Sequence, residues 1–229
     1  MDISQAIAQR QSVRAFKSDP VPKAVIKEII EKALRSPSWA NTQPWEFVIA
    51  GGKTMEEIRK ACEEKVMSGA PMNPEIAAPA GFPEPFDTRR RAVGRKMFEV
   101  MGIGREDKEK RLLWGLLGFK FFDAPNAIFI LTDRSFYYQG DNLNVWPLFD
   151  CGLVAQNILL LATERGLGTI PEIQAVMYPD VLRKMLNIPD SKLIVLGIAL
   201  GYPDGDHPAN KIRSDREPVD GLTTWHGFE

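Results

Sequence analysis

The sequence predicts an α+β domain in which helices cover both faces of a sheet of about four strands. Three observations carry this prediction. Segments with apolar residues at helical spacing alternate loosely with short apolar runs closed by turn residues. The chain has 229 residues, the size of one full domain. No GxGxxG follows a first strand, which sets aside a dinucleotide-binding Rossmann arrangement.

The elements follow in order. Ile3, Ala6 and Ile7 predict a short first helix. Pro22 stands where a helix tolerates proline, at N1, because its missing N–H would be unpaired there anyway. Behind it Val25, Ile26, Ile29, Ile30, Ala33 and Leu34 recur at helical spacing, and Pro37 ends the run. Ser36 to Pro44 is loop by composition, Trp45 to Ala50 a strand closed by Gly51-Gly52, and Thr54 to Met67 a helix. Residues 68–88 carry five prolines and predict a long irregular segment of the kind that serves as a lid or binding loop. Arg89 to Met101 and Lys108 to Lys120 read as helices, and Ala127 to Thr132 as a central strand. Trp146 to Arg165 is a helix apolar enough to require burial on most sides, in a core or a subunit interface. Gly166 and Gly168 stop it. Val181 to Leu186 is a short helix, Leu193 to Leu200 a second core strand, and the tail from Gly201 is polar and aperiodic.

Composition excludes several classes. Lys and Arg total 29 against 30 Asp and Glu, so bulk charge does not drive nucleic-acid binding. Cys62 and Cys151 cannot make a disulfide framework, and two histidines, His207 and His226, argue against a zinc site. The N-terminus has no apolar h-region, and the longest apolar run, Leu193 to Leu200, is far short of the ~20 residues of a membrane span. A cytoplasmic protein is the expectation, without nucleic-acid or membrane partners. GxxxxGK[ST], GxSxG and HExxH are absent.

Four short motifs carry chemistry. In Arg10-Gln11-Ser12-Val13-Arg14-Ala15-Phe16, an extended backbone puts Arg10, Ser12 and Arg14 on one side, where two guanidiniums and a hydroxyl suit a phosphate; a solvated surface turn is the other reading. In Ser36 to Trp45, Asn41 and Gln43 can read the edge of a heterocycle and Trp39 can lie on a flat ring, or the amides simply bond to backbone. Gly166 to Glu172 is a glycine-flanked turn that lets amides approach a ligand, or a plain helix cap. Asn210 to Pro218 is a second basic cluster, or a solvated tail.

Taken in order, these motifs resemble the nitroreductase family of flavin enzymes. The family's R-x-S-x-R-x-F matches Arg10, Ser12, Arg14 and Phe16, and its SPS-x-x-N-x-Q-P-W matches Ser36 to Trp45. GLGT falls at Gly166 to Thr169, and the GYP…R-x-P ending at Gly201 to Pro203 and Arg216 to Pro218. The matches run from residue 3 to 225.

The resemblance implies a single domain over 1–229: a three-layer α/β/α arrangement on a central mixed sheet. It further implies a homodimer whose domain-swapped tail wraps the partner. It implies non-covalent FMN at the subunit interface. Arg10, Ser12 and Arg14 would hold the phosphate and the pyrimidine edge, with Arg216 at the phosphate and Gln11 adding a backbone or amide contact. Ser38, Trp39 and Asn41 would come from the other subunit. The backbone around Ile170, Pro171, Glu172 and Ile173 would flank the ring and donate to its N5. NADH or NADPH would give hydride to the flavin, and a small aromatic acceptor, nitroaromatic or quinone, would take it in a ping-pong cycle with no catalytic side chain. Two other readings stay open: a reductive dehalogenase of the iodotyrosine deiodinase type, and a flavin-binding protein without turnover.

The sequence departs from the family at Gln11, where a basic residue is common, and over 68–123, a lid or substrate-access segment. There Arg89, Arg90, Arg91 and Arg95 either attract an acidic acceptor or form a solvated helix face. Phe82, Phe86, Tyr137, Tyr138 and Trp146 are candidate aromatic walls.

Overall fold

The structure, a computed structural model, describes residues 1–228. The helices are α1 (Ile3–Gln9), α2 (Lys23–Ala33), α3 (Gly52–Met67), α4 (Phe86–Val100), α5 (Lys108–Phe119), α6 (Arg134–Tyr137), α7 (Trp146–Glu164) and α8 (Pro179–Leu186). The main sheet holds β1 (Glu46–Gly51), β2 (Asn126–Asp133), β5 (Gly168–Glu172) and β6 (Lys192–Gly201) in the order β1-β2-β6-β5. β3 (Tyr138–Gln139) and β4 (Asn142–Leu143) make a small separate hairpin.

Alternation along the central strands builds two cores. Ile128 and Ile130 of β2 and Ile198 and Leu200 of β6 face α2 and α7, meeting Ile29, Ala33, Val154 and Ile158. Ala127, Phe129 and Leu131 point the other way with Ala199, onto Met55 and Ile58 of α3 and Leu182 of α8. These are the expected three layers. The pairings among the four strands are all antiparallel, so the mixed character of the sheet reduces to one parallel bridge, Ser12 with Thr169.

Several boundaries differ from the sequence reading. Pro22 caps α2 from outside rather than opening it, and the helix ends at Ala33, where the Ser36 hydroxyl donates to the Ala33 carbonyl (2.7 Å), before Pro37 is reached. α4 starts at Phe86, inside the stretch read as irregular. Gly166 to Glu172 is more than a turn: Gly166 (φ 69°) closes α7 by donating to Thr163 while Leu167 donates to Ala162, and the chain then becomes edge strand β5. α7 is by length and composition apolar enough to cross a membrane. Its buried residues, Val154, Ile158 and Ala162 among them, are spent on the core beneath the sheet. Cys62 lies in one core and Cys151 in the other, and burial pushes both thiols up to about 12.

Residues 70–75 are fastened to the core. The Tyr178 hydroxyl donates to the Ala70 carbonyl, and Asn73 N–H donates to Met177. Glu75, nearly buried, accepts from Ile194 N–H (2.8 Å) and from the guanidiniums of Arg183 (2.6 Å) and Arg134. Burial alone pushes its carboxyl up, but the Ile194 amide and the two arginines together hold it below the usual carboxylate range. This clamp fixes where the chain leaves the core before α4.

Glu75→Gln is expected to lower stability by about 2–3 kcal/mol at pH 7, because it leaves the Arg134 guanidinium without its anion and Arg183 with only the exposed Asp190. Since the folded carboxyl titrates below its unfolded value, the wild-type advantage is complete above the ordinary carboxylate range and fades as pH falls through the folded value. Urea unfolding of both proteins at neutral and acid pH reads this, and a difference independent of pH would remove the ionic clamp.

Candidate active site

The site begins with the segment after α1. Val13 turns inward and its N–H donates to Thr169 (3.0 Å), extending the sheet past β5. This register needs glycine at 168, since a Cβ there would lie 2.8 Å from a Val13 methyl. With Val13 inward, Ser12 and Arg14 point outward, as the extended reading requires.

Asn210, buried in the tail, ties this segment in place. Its Oδ1 accepts from Arg14 N–H (2.7 Å), and its Nδ2 donates to the carbonyls of Ala15 (2.8 Å) and Asp204 (2.8 Å). Its own carbonyl accepts from the Gln11 amide (3.0 Å). Lys17 N–H donates to Tyr202 and Asp204 N–H to Ala15, completing the seam.

The result is a cleft of about 940 Å³ whose lining includes Arg10, Gln11, Ser12, Arg14, Arg213 and Arg216, together with Val93 of α4 and Gln156 of α7. Five sequence candidates, Arg10, Gln11, Ser12, Arg14 and Arg216, therefore converge, although more than 200 residues separate the first from the last. Burial and the facing Arg216 both lower the affinity of Arg10 for its proton. Two guanidiniums close enough to repel each other in one cleft favour an anion between them. Burial also disfavours the Arg14 charge, which Glu172 partly restores.

Glu172 is buried in β5, and both its carboxylate oxygens lack a hydrogen-bond partner among the described residues. Burial pushes its carboxyl well above the usual range, against the pull of Arg14. The Gln11 side-chain oxygen is similarly buried and unpartnered. Of the neighbouring candidates, Ile170 gives its side chain to the core, while Pro171 is half-buried and Ile173 exposed.

Ser38, Trp39 and Asn41 do not reach this cleft. They form a tight turn in which Ala40 (φ 49°), Asn41 (φ 56°) and Gln43 (φ 46°) are left-handed. Ser38 Oγ accepts from Gln43 N–H, and Trp39 N–H donates to the Asp150 carboxylate. Trp39 is 60% exposed and packs against Trp146 of α7 at 6.4 Å between ring centroids.

The arginines of α4 are less available than their count suggests. Arg89 bonds Glu217 (2.7 Å) in the tail, Arg90 bonds Asp87 (2.6 Å), and Arg91 bonds Glu84 (2.9 Å) and Asp87 (2.8 Å). Of the candidate aromatic walls, Tyr137 is buried, and Phe82, Phe86, Tyr138 and Trp146 are exposed outside the arginine cleft. The residues that sequence reasoning left unassigned are Arg213, Asn210, Val93 and Gln156. Asn210 and Arg213 stand in the basic cluster of the tail, though without a role there; no local pattern marks Val93 or Gln156.

A cleft at a sheet edge that gathers four arginines against one aspartate, two serine hydroxyls and an unpaired buried amide oxygen has the chemistry of a binding domain for a phosphorylated small molecule. The chain belongs to the nitroreductase family, whose model matches residues 7–202. It is 33% identical over 227 residues to the chloronitrobenzene nitroreductase of Comamonas testosteroni, covering 97% of this chain and 96% of that one. To the 4-nitrobenzoate reductase of Pseudomonas putida it is 29% identical, covering 100% and 97%. The crystal structure of the FMN and NADPH-dependent nitroreductase NfnB from Sphigopyxis sp. strain HMH superposes with a TM-score of 0.92 at 31% identity over the whole of both chains.

Asn210→Ala is expected to cost about 2–3 kcal/mol of stability, because it strands one N–H and two carbonyls in a part-buried seam; thermal unfolding checks it. Glu172→Gln is expected to act with the opposite sign. A carboxyl whose folded pKa is raised holds its full contribution below the unfolded value and loses it as pH rises through the folded one. The variant's melting temperature should therefore match wild type near pH 4 and exceed it increasingly towards pH 8. Parallel curves at all pH values would mean that Glu172 does not titrate as a buried acid.

Proposed function

We propose that this protein is an FMN-dependent NAD(P)H oxidoreductase that reduces nitroaromatic acceptors, and quinones as a second acceptor class. The observation that carries the reading is the convergence of Arg10, Ser12, Arg14, Arg213 and Arg216 in one cleft beside buried acceptors that lack donors. These residues fit FMN. A phosphate between Arg10 and Arg216 would relieve their mutual repulsion, and the unpartnered Gln11 oxygen lining the cleft suits the ring N–H of a flavin. The relatives named above, a chloronitrobenzene nitroreductase and a 4-nitrobenzoate reductase, support the acceptor class. The FMN and NADPH dependence named for the Sphigopyxis enzyme supports the cofactor and the donor.

When bound, FMN supplies the hydride chemistry, taking electrons from NADH or NADPH and passing them to the acceptor. The protein's own residues bind and orient. Arg10, Ser12 and Arg216 hold the phosphate, with Arg213 joining them. Arg14, fixed at its N–H by Asn210, would place positive charge beside the pyrimidine edge and so stabilise the reduced, anionic form. Gln11 contributes its free amide oxygen. The backbone of Ile170, Pro171, Glu172 and Ile173 would flank the ring and supply an N–H donor to its N5. One site serving donor and acceptor in turn predicts ping-pong kinetics.

The working unit in this reading is a homodimer. Trp39, Trp146 and Phe149 form an exposed aromatic patch at 60%, 53% and 60% exposure, and Leu222, Trp225 and Phe228 are exposed along the tail. A partner subunit would cover both, and would bring Ser38, Trp39 and Asn41 to the cleft that they do not reach in their own chain. The substrate-access role proposed for 68–123 falls on α4 and its flanking loops, since residues 70–75 are fastened to the core.

The purified protein should be yellow, should bleach anaerobically with NADH or NADPH, and should run at twice the 25.7-kDa chain mass in light scattering. A colourless protein that takes up no added FMN overturns the reading; a yellow one that no nicotinamide bleaches is a flavin binder without this activity. Arg14→Ala should weaken FMN binding by about 1.5–3 kcal/mol, roughly 10- to 150-fold, as expected for one hydrogen bond to a charged group. Flavin fluorescence titration measures it, and unchanged affinity removes Arg14 from the site.

A further inference from the structure

The face of α4 turned away from the flavin cleft carries a second basic recess, of about 570 Å³, to which the reaction outlined above assigns nothing. Five arginines line it against a single glutamate, Glu99. Arg90 and Arg91 are occupied by Asp87 and Glu84. The Arg111 guanidinium lies over the Phe98 ring, 3.8 Å from its centroid, and donates to the Gly104 carbonyl, which together restrain it. Arg95 and Arg105 have no hydrogen bond or ion pair among the described residues, although Glu106 lies against Gly104 close by. Gly94 leaves the floor of the recess open, with nothing within 4 Å of where a Cβ would stand.

Three guanidiniums without a carboxylate partner, one of them restrained in this way, make a site for a phosphomonoester dianion. The position narrows the source. Val93 lines the flavin cleft and its neighbour Gly94 lines the recess, so the two are separated by one helix, roughly 10–12 Å across with its side chains. A dinucleotide whose nicotinamide enters the cleft has a second nucleotide half that reaches beyond it, and α4, which lines the cleft with Val93, is a wall that half can cross.

We propose that Arg95, Arg105 and Arg111 form the seat of the adenosine 2′-phosphate of NADPH, and so set the preference of this enzyme for NADPH over NADH. The inference rests on the oxidoreductase reading above. It gives α4 two duties on opposite faces, closing the flavin cleft with Val93 and gripping the tail of the donor with arginines. Because the recess is open to solvent, the preference should fall as ionic strength rises.

The test uses the FMN-loaded protein. Calorimetric titration with adenosine 2′,5′-bisphosphate, 5′-AMP and inorganic phosphate is run on wild type, on the double variant R95A/R105A, and on Gly94→Asp, which adds a carboxylate to the recess without removing any contact. Adenosine 2′,5′-bisphosphate should bind wild type at least tenfold more tightly than 5′-AMP, and both variants should erase that difference. In steady state, the ratio of KM for NADPH to KM for NADH should rise tenfold or more in both variants, with the flavin spectrum retained. Equal affinity for the two adenylates, or a KM ratio that stays put, overturns the assignment. Inorganic phosphate binding as tightly as the bisphosphate would make the recess a free-phosphate site and also overturn it. A protein that oxidises neither nicotinamide fails the oxidoreductase reading instead, and the titrations of the adenylates still decide the recess by themselves.

Discussion

The hydrogen bonds of Asn210 are the constraint on which the site depends. Four arginines in one cleft repel each other, and two of them follow the first helix while two sit in an aperiodic tail. Left to itself, such a tail would relax into solvent. Asn210 prevents this by giving every polar atom of a buried amide a backbone partner, on both sides of the seam. Breaking the seam strands the N–H of Arg14 and the carbonyls of Ala15 and Asp204, a cost that opposes separation of the charges. The cleft is therefore preorganised: the fold has already met the electrostatic cost of gathering positive charge before any anion arrives.

The sheet provides the other half of that preorganisation. Gly168 lets Val13 sit flush on the edge of β5, so the N-terminal segment is read as one more strand, with its odd residue inward and its even ones outward. Behind the edge, two cores on opposite faces hold β5 and β6 rigid. On the far side of the cleft, α4 is tethered along its length by Arg89 to Glu217 and by Lys96 to the Arg213 carbonyl. The helix rests on the same tail that Asn210 fastens, which makes the tail a shared wall rather than an appendage.

Much of this was legible in the sequence because local physics decides it. α2 and α7 announce themselves by periodicity, and β2 and β6 by short apolar runs, since burial on one or both faces is written directly in residue order. The basic residues at Arg10, Arg14 and Arg216 could be paired by motif. What was not legible depends on distant partners. β5 looked like a turn because Gly and Pro are poor strand residues, and only the neighbouring β6 and the Val13 segment make it a strand. The fastening of residues 70–75 was hidden because proline content signals irregular backbone and says nothing about Glu75 meeting Arg134 and Arg183. The arginines of α4 looked available because a helix read alone does not show Glu217, which arrives from more than a hundred residues away.

The two thiols carry a consequence of the layered fold. Cys62 and Cys151 lie on opposite faces of one sheet, and burial holds both protonated at any physiological pH. A thiol in that state does not react with an alkylating reagent until its own core opens. Each cysteine is thus a built-in clock for one face of the molecule. If the layers open as one cooperative unit, the two sites label in step; if the face under α3 and α8 opens before the face under α7, mass spectrometry of partly labelled chains resolves the order in which the domain comes apart.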